Sequence, residues 1–230
     1  MRELAARCAL LLAFFAPAAF AQGAPDALLR AVADEVIGEL HQARDFHAAD
    51  QARIADLVEA KVLPLFDFAR MTQLALARNW HLATAEQRRV LTEEFKTLLV
   101  RTYSAALTQY RGERIAFRQV RAASADKEAT VRSEVKQSGN ERMFVDYDME
   151  NTPQGWKIYG VKVAGVCLVT SYRDLFNEKV REGGVSGLIM FLAERNRGGE
   201  SRFKTIQSSF WEKSRVLYAI LQRALRSGLQ

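Results

Sequence analysis

The sequence predicts an α+β fold, with helices first, an antiparallel sheet after them and further helices at the end. Between residues 26 and 110, apolar side chains recur every three or four positions, which is typical of helices with one buried face. After Gly112 the apolar spacing changes to two, which is typical of strands with one buried face. Short turn-forming stretches separate these strands, so we expect consecutive strands to pair antiparallel.

The first 21 residues have the pattern of a secretory signal peptide. Arg2 and Arg7 precede an apolar run, Ala9 to Phe15, that is too short to span a bilayer. Ala19-Phe20-Ala21 then fits the small-residue rule for signal peptidase, so we expect residues 1–21 to be removed. The remaining residues, roughly 209 of the 230, are enough for one sizeable core, which we assign to residues 22–197.

The charge pattern indicates an ordinary solvated surface. The chain carries 33 basic and 27 acidic residues, a net charge of +6, and the two signs are interleaved. We therefore expect no nucleic-acid partner; for a secreted chain, an anionic membrane is the more natural neighbour. No later stretch reaches the roughly 18 apolar residues that a transmembrane helix needs, so we expect membrane contact to be made from solution.

The apolar spacing predicts four helices before the sheet and two after it. They cover residues 26–46, 49–62, 68–78, 84–110, 171–181 and 185–195. Pro64 is expected to stop or kink the second of these. Thr84 and Gln87 have the spacing of a capping box at the start of the long fourth helix. Gly183 and Gly184 are expected to separate the last two.

Four strands are predicted, at residues 115–120, 130–136, 143–149 and 156–166. In the third strand, Asp146 and Asp148 alternate with apolar residues, so we expect them on a solvated face. The register of the fourth strand stays open. Two sets compete for the buried face: Trp156, Ile158 and Gly160, or Tyr159, Val161 and Val163.

Residues 198–230 differ in composition from the rest. Residues 197–202 are typical of a linker, and Phe210 to Leu229 can form a basic amphipathic helix. Such a helix could lie on an anionic membrane or a partner; the other readings are a terminal helix docked on its own domain and a poorly ordered tail.

No catalytic or metal-binding pattern is present in the sequence. His41, His47 and His81 lack metal-ligand spacing, and we find no nucleophile elbow or phosphate-binding loop. After removal of the signal peptide, Cys167 has no cysteine with which to form an internal disulfide or a zinc site, and it is expected to be a buried, inert thiol. Asp67, between two phenylalanines, is expected to be a helix N-cap. We therefore expect no enzyme activity, metal or cofactor.

Several stretches together resemble the MlaC family of periplasmic phospholipid-binding proteins, also called toluene-tolerance proteins. They are Val62-Leu-Pro-Leu-Phe-Asp-Phe-Ala-Arg-Met71, Ala83-Thr-Ala-Glu-Gln-Arg88, Phe95-Lys-Thr-Leu-Leu-Val-Arg-Thr-Tyr103, Trp156-Lys-Ile-Tyr-Gly-Val-Lys-Val-Ala-Gly-Val-Cys-Leu-Val169, Ser171-Tyr-Arg-Asp-Leu-Phe176 and Gly187-Leu-Ile-Met-Phe-Leu192. Ser171 and Cys167 depart from the family pattern, which usually has asparagine and a small polar residue there.

The resemblance implies a curved antiparallel sheet, here four-stranded, with helices on its concave face around an apolar lipid cavity. It also implies a soluble periplasmic carrier that shuttles phospholipid between the outer and inner membranes and maintains outer-membrane lipid asymmetry. Its partners would be an outer-membrane lipoprotein complex and an inner-membrane ABC transporter complex, with transient contact to membrane surfaces.

The candidate lipid-binding residues lie on the inward strand positions, the long-helix stripe, the apolar connector and the C-terminal helices. They are Phe66, Phe68, Met71, Phe95, Leu98, Leu99, Tyr103, Val145, Tyr147, Tyr159, Val161, Val163, Tyr172, Phe176, Leu188 and Phe191, with Arg173 as a head-group contact. Ordinary core is the alternative for each, since cores and cavities use the same residue types.

Two other functions remain possible at this stage. A small α+β isomerase or hydrolase with an internal pocket would use Asp67 as its titratable group. A carrier of a different lipid, such as a hopanoid, would share the architecture and differ in cavity volume.

Overall fold

The computed structural model describes residues 23–42, 55–108, 114–120, 126–136 and 142–197. The predicted signal peptide and the predicted tail, residues 198–230, lie outside the described residues. All of the described residues therefore lie within residues 22–197, the predicted lipid-binding domain.

The first helix, α1 (Pro25–Gln42), packs on one edge of the sheet. Leu29 and Val36 are buried and lie seven positions apart, which places them on the same side of the helix. The Arg30 guanidinium donates to the backbone carbonyl of Phe117 at 3.0 Å. This contact fixes α1 on the first strand, across 87 positions of sequence.

A short connector leads from the second predicted helix to the sheet. Residues 55–57 are helical, Val58–Val62 form a π-helical turn and Leu63–Leu65 form a 3₁₀ turn that contains Pro64. Phe66 then forms a parallel bridge with Ile158, and the Asp67 amide donates to the Ile158 carbonyl at 2.8 Å. The connector thus extends the sheet by one residue pair and delivers the chain to the next helix.

Two helices follow, and side chains cap both. Helix α2 (Phe68–Leu76) begins at Asp67, whose carboxylate accepts from the Arg70 amide at 2.8 Å, so the N-cap prediction is confirmed. A 3₁₀ turn, Ala77–Leu82, leads to α3 (Ala85–Thr108). The Thr84 amide donates to Gln87 Oε1 at 2.9 Å and the Gln87 amide donates to Thr84 Oγ1 at 3.2 Å, so the capping box is also confirmed.

The sheet is an open antiparallel meander of five strands in chain order. They are β1 (Arg114–Phe117), β2 (Glu128–Lys136), β3 (Arg142–Thr152), β4 (Gly155–Val163) and β5 (Val166–Cys167). The predicted fourth strand is two strands, because Ala164 and Gly165 both have positive φ and form a two-residue hairpin turn. The predicted α+β fold is otherwise confirmed.

A β-bulge settles the register of β4. Val161 lies opposite Tyr147, but Met149 lies opposite Ile158, so Tyr159 is an extra residue in β4. Before the bulge, Trp156 and Ile158 face the core; after it, Val161 and Val163 face the same side. Each of the two competing registers is therefore correct for one half of the strand.

The last helix, α4 (Arg173–Arg197), follows a 3₁₀ turn, Thr170–Tyr172. It is kinked where predicted, at Gly183 and Gly184, and Gly184 has φ 65° and ψ −170°. Helices α3 and α4 pack mainly on each other and on α2, whereas α1 lies on β1 and β2. Helix α2 also contacts β4 and so connects this group of helices to the sheet.

Candidate functional site

The buried apolar residues form two main clusters that meet at the connector. The helix cluster consists of Met71, Ala75, Leu76, Ala83, Leu91, Phe95, Leu98, Leu99, Val169, Tyr172, Phe176, Val185, Leu188 and Leu192. The sheet cluster consists of Leu29, Val131, Met149, Trp156 and Ile158. Phe66 packs against both clusters, and its ring stacks on Phe68 with centroids 5.6 Å apart.

The centre of the helix cluster is solid core. The Phe95 ring meets Tyr172 and Phe176 edge-on, with centroid distances of 5.3 and 5.1 Å. Five of the predicted lipid-binding residues lie in this cluster with at most 4% of their surface exposed: Met71, Phe95, Leu98, Phe176 and Leu188. These side chains lie in the core beneath the accessible residues and have almost no surface that a ligand could contact.

Other predicted residues keep accessible surface and form the borders of the two clusters. On the helix side they are Phe66, Phe68, Tyr103 and Phe191, and on the sheet side they are Tyr147 and Val161. Val163 is also half-buried and lies opposite Val145, but it is not among the residues that pack against the sheet cluster. Leu99, Val145 and Tyr172 are intermediate cases, with 5 to 7% of their surface exposed. These border residues are the ones that an apolar ligand can touch.

Two tyrosines, one on each border, are largely surrounded by protein. Burial raises the pKa of the Tyr103 hydroxyl, on α3, well above its ordinary value, and it also raises the pKa of Tyr147, on β3. Both side chains nevertheless keep part of their surface accessible. Each of them therefore borders a gap in the apolar packing. We take the candidate site to be an apolar cleft between the sheet and helices α3 and α4.

A small group of polar side chains lies at one end of this cleft. The Tyr103 hydroxyl is buried beside Tyr172. The Arg195 guanidinium, in the last turns of α4, lies over the Phe191 ring at 5.9 Å and interacts electrostatically with Tyr172. Burial lowers the pKa of Arg195, which shows that the charge is partly removed from water.

The structure places Arg173, the predicted head-group contact, in a structural position. Its guanidinium donates to the Leu74 carbonyl at 2.9 Å and so joins α4 to the end of α2. Its Nε is buried and makes no hydrogen bond within the described part of the chain. At least one face of Arg173 is therefore committed to holding two helices together.

The opposite face of the sheet is polar, as predicted for Asp146 and Asp148. Asp146 accepts two hydrogen bonds from Arg132, at 2.6 and 2.8 Å, and these lower the pKa of the carboxylate. Asp148 forms an ion pair with Lys162 at 2.8 Å. The sheet therefore has one apolar and one charged face, and only the apolar face suits an apolar ligand.

Tyr159 was predicted among the inward-facing residues, and the structure places it on the charged face instead. The bulge in β4 turns its ring towards Arg70, whose guanidinium carbon is 3.6 Å from the ring centroid. Arg70 also forms ion pairs with Glu128, at 2.6 Å, and with Glu150. Tyr159 thus helps to tie the Arg70 side chain, at the start of α2, to the charged face of the sheet.

Some wall residues were not singled out from the sequence. Phe117, Leu65 and Cys167 pack at the borders of the two clusters. The alternation in β1 was a usable signal for Phe117, and Cys167 was recognised only as a buried thiol. The sequence pattern did not indicate a role for Arg195 in the site, because a basic residue in the last turn of a helix is common.

The described residues contain no group of three or more His, Cys, Asp or Glu side chains that could hold a metal ion. Within the same ranges, no helix is both long and apolar enough to cross a membrane.

Comparisons with known proteins agree with this geometry. The family model described as MlaC protein matches residues 30–194. The toluene tolerance protein Ttg2D of Pseudomonas putida is 26% identical over 178 residues, which cover 76% of this chain and 81% of that protein. A phospholipid-binding protein from Ralstonia solanacearum, solved in complex with a phospholipid, superposes with a TM-score of 0.68 and 36% identity, over 76% of this chain and 98% of that one. The chain belongs to the MlaC family.

Proposed function

We propose that this protein is a periplasmic carrier that takes up a phospholipid in the apolar cleft and shuttles it between the outer and inner membranes. The observation that carries the proposal is the apolar surface that stays accessible at Tyr103 and Tyr147, at the borders of the two clusters, while the other face of the sheet is charged. Support comes from the phospholipid complex of the Ralstonia solanacearum relative.

The energetics explain why a carrier needs such a cleft. A two-tailed phospholipid hides on the order of 30 methylene groups, at about 0.8 kcal/mol each, when its tails leave water. A single exposed apolar surface cannot supply that much burial. A cleft with walls on two sides can bury both acyl chains, and the protein then presents mainly its polar surface to the periplasm.

The proposal includes partners and a cellular role. We propose that lipid is exchanged with an outer-membrane lipoprotein complex and an inner-membrane ABC transporter complex, and that this traffic maintains outer-membrane lipid asymmetry. The apparent signal peptide supports a periplasmic location. The predicted amphipathic segment at residues 210–229 would favour brief contact with anionic membrane surfaces.

Lipid transfer tests the carrier step directly. Donor vesicles contain a phospholipid with a fluorescent, self-quenching acyl chain, and acceptor vesicles contain none. A carrier raises the rate of dequenching in proportion to its concentration, and the protein recovered between the two vesicle populations contains labelled lipid. A rate that does not change when protein is added would contradict carrier function.

The location is tested by fractionation of the host cell and N-terminal sequencing. We expect the protein in the periplasmic fraction with Gln22 as its first residue. Cytoplasmic protein that still begins at Met1 would contradict the proposed location.

A further inference from the structure

The Tyr103 hydroxyl is a buried polar atom in an otherwise apolar wall. Only a weak contact with the Tyr172 hydroxyl serves it, because the oxygen has no hydrogen bond of ordinary geometry within the described ranges. A buried donor without a well-placed acceptor typically costs about 1–3 kcal/mol. A phenylalanine would avoid this cost, so the hydroxyl is better explained by an acceptor that the ligand brings.

A cation lies at the same end of the cleft. Arg195 is partly buried against Phe191, and both Tyr103 and Arg195 interact electrostatically with Tyr172. Two further arginines of this region, Arg101 and Arg197, are exposed, and Arg101 donates to the Asn196 carbonyl. Of these three arginines, Arg195 is therefore the one whose side chain is partly buried near the Tyr103 hydroxyl.

We propose that Tyr103 and Arg195 bind the phosphate group of the lipid and so select phospholipids over neutral lipids with the same tails. The inference rests on the proposed function, since it assigns one end of the same cleft to the head group. A guanidinium and a hydroxyl are both donors, and a phosphodiester offers anionic acceptor oxygens to each. The acyl chains then extend along the wall formed by Phe191, Tyr147 and Val161.

If Arg195 has a purely structural role, a different effect of its substitution on lipid affinity is expected. A cation in the last turn of a helix is stabilised by the helix dipole, whatever the ligand. In that case, removal of the charge lowers the stability of α4 and weakens binding of every lipid equally. Selectivity for the phosphate is the property that separates the two roles.

The test compares two ligands with identical acyl chains, phosphatidylglycerol and diacylglycerol. Delipidated wild type, Tyr103→Phe and Arg195→Met are titrated with each lipid, and thermal unfolding confirms that each variant is folded. Tyr159→Phe and Arg197→Met are matched controls, since Tyr159 lies on the charged face and Arg197 is exposed at the end of α4. Tyr103→Phe keeps the ring, so it decides the question if Arg195→Met does not fold.

We expect both site variants to lose affinity for phosphatidylglycerol by about tenfold, the usual effect of losing a hydrogen bond to a charged group. Their affinity for diacylglycerol should stay unchanged, and both controls should behave like wild type. Equal losses for the two lipids, or no loss for either, would overturn the phosphate site and leave the carrier intact. A wild-type protein that binds neither lipid would instead contradict the proposed function itself.

Discussion

Val161 offers a way to fill the cleft without touching its solid core. It lies on the inner face of β4, opposite Tyr147, and keeps accessible surface. In Val161→Trp, the added indole atoms take the room of about three methylene groups of an acyl chain, and at about 0.8 kcal/mol per methylene the displaced chain loses about 2.5 kcal/mol. This corresponds to a loss of phospholipid affinity of roughly 50- to 100-fold.

The assay is titration of delipidated protein with a phospholipid carrying a fluorescent chain, at matched protein concentration. Lys162→Trp is the control, because it places the same side chain on the neighbouring residue of the same strand but on the charged face. It removes only an ion pair that is partly exposed, which contributes about 1 kcal/mol or less to stability. Equal affinity of Val161→Trp and wild type, with both folded, would refute the assignment of this face to the acyl chains.

Three further predictions concern the frame that holds the cleft. Phe95→Ala should lower the free energy of unfolding by about 3–5 kcal/mol in a denaturant titration, since the ring is fully buried; a change below about 1 kcal/mol would contradict its place in the core. Gly184→Ala should cost about 1–3 kcal/mol in the same assay, because φ is 65° and ψ −170°; an unchanged midpoint would count against the kink. Arg132→Gln should destabilise the protein at neutral pH. Arg132 lowers the pKa of Asp146 in the folded state, so the pair stabilises the fold at pH values above the ordinary carboxyl pKa of about 4, and this stabilisation is lost as the pH falls through the lower pKa of the folded state. If the stability difference between Arg132→Gln and wild type does not shrink in acid, the Arg132–Asp146 pair is not its source.

Features set by neighbours in sequence were predictable. The capping box at Thr84 and the N-cap at Asp67 depend on contacts three residues apart, and the sequence contains both partners. The charged face at Asp146 and Asp148 follows from alternation within one strand. The kink at Gly183 and Gly184 follows from the local preferences of glycine.

Features set by pairing between strands were not predictable. The bulge at Tyr159 depends on how β4 meets β3, and both registers of the strand looked equally apolar. Once the bulge is known, the outward turn of Tyr159 and its contact with Arg70, 89 positions earlier, follow directly. No local pattern in the sequence contains this information.

The candidate site shows the same limit. Phe95 and Phe191 are both apolar and both lie on helices, yet one is sealed in the core and the other borders the cleft. Composition cannot separate them, because core and cleft use the same residue types. Tyr103 lies in an apolar stripe of the sequence, whereas the burial of its hydroxyl became visible only in the packed structure.

The central claim is that this protein carries phospholipid, and native mass spectrometry of protein purified from its own periplasm, followed by lipid extraction, tests it most directly. We expect one mass shift per molecule that matches a phospholipid, with the same lipid found in the extract. A folded protein with no bound mass, purified without detergent, would contradict the claim.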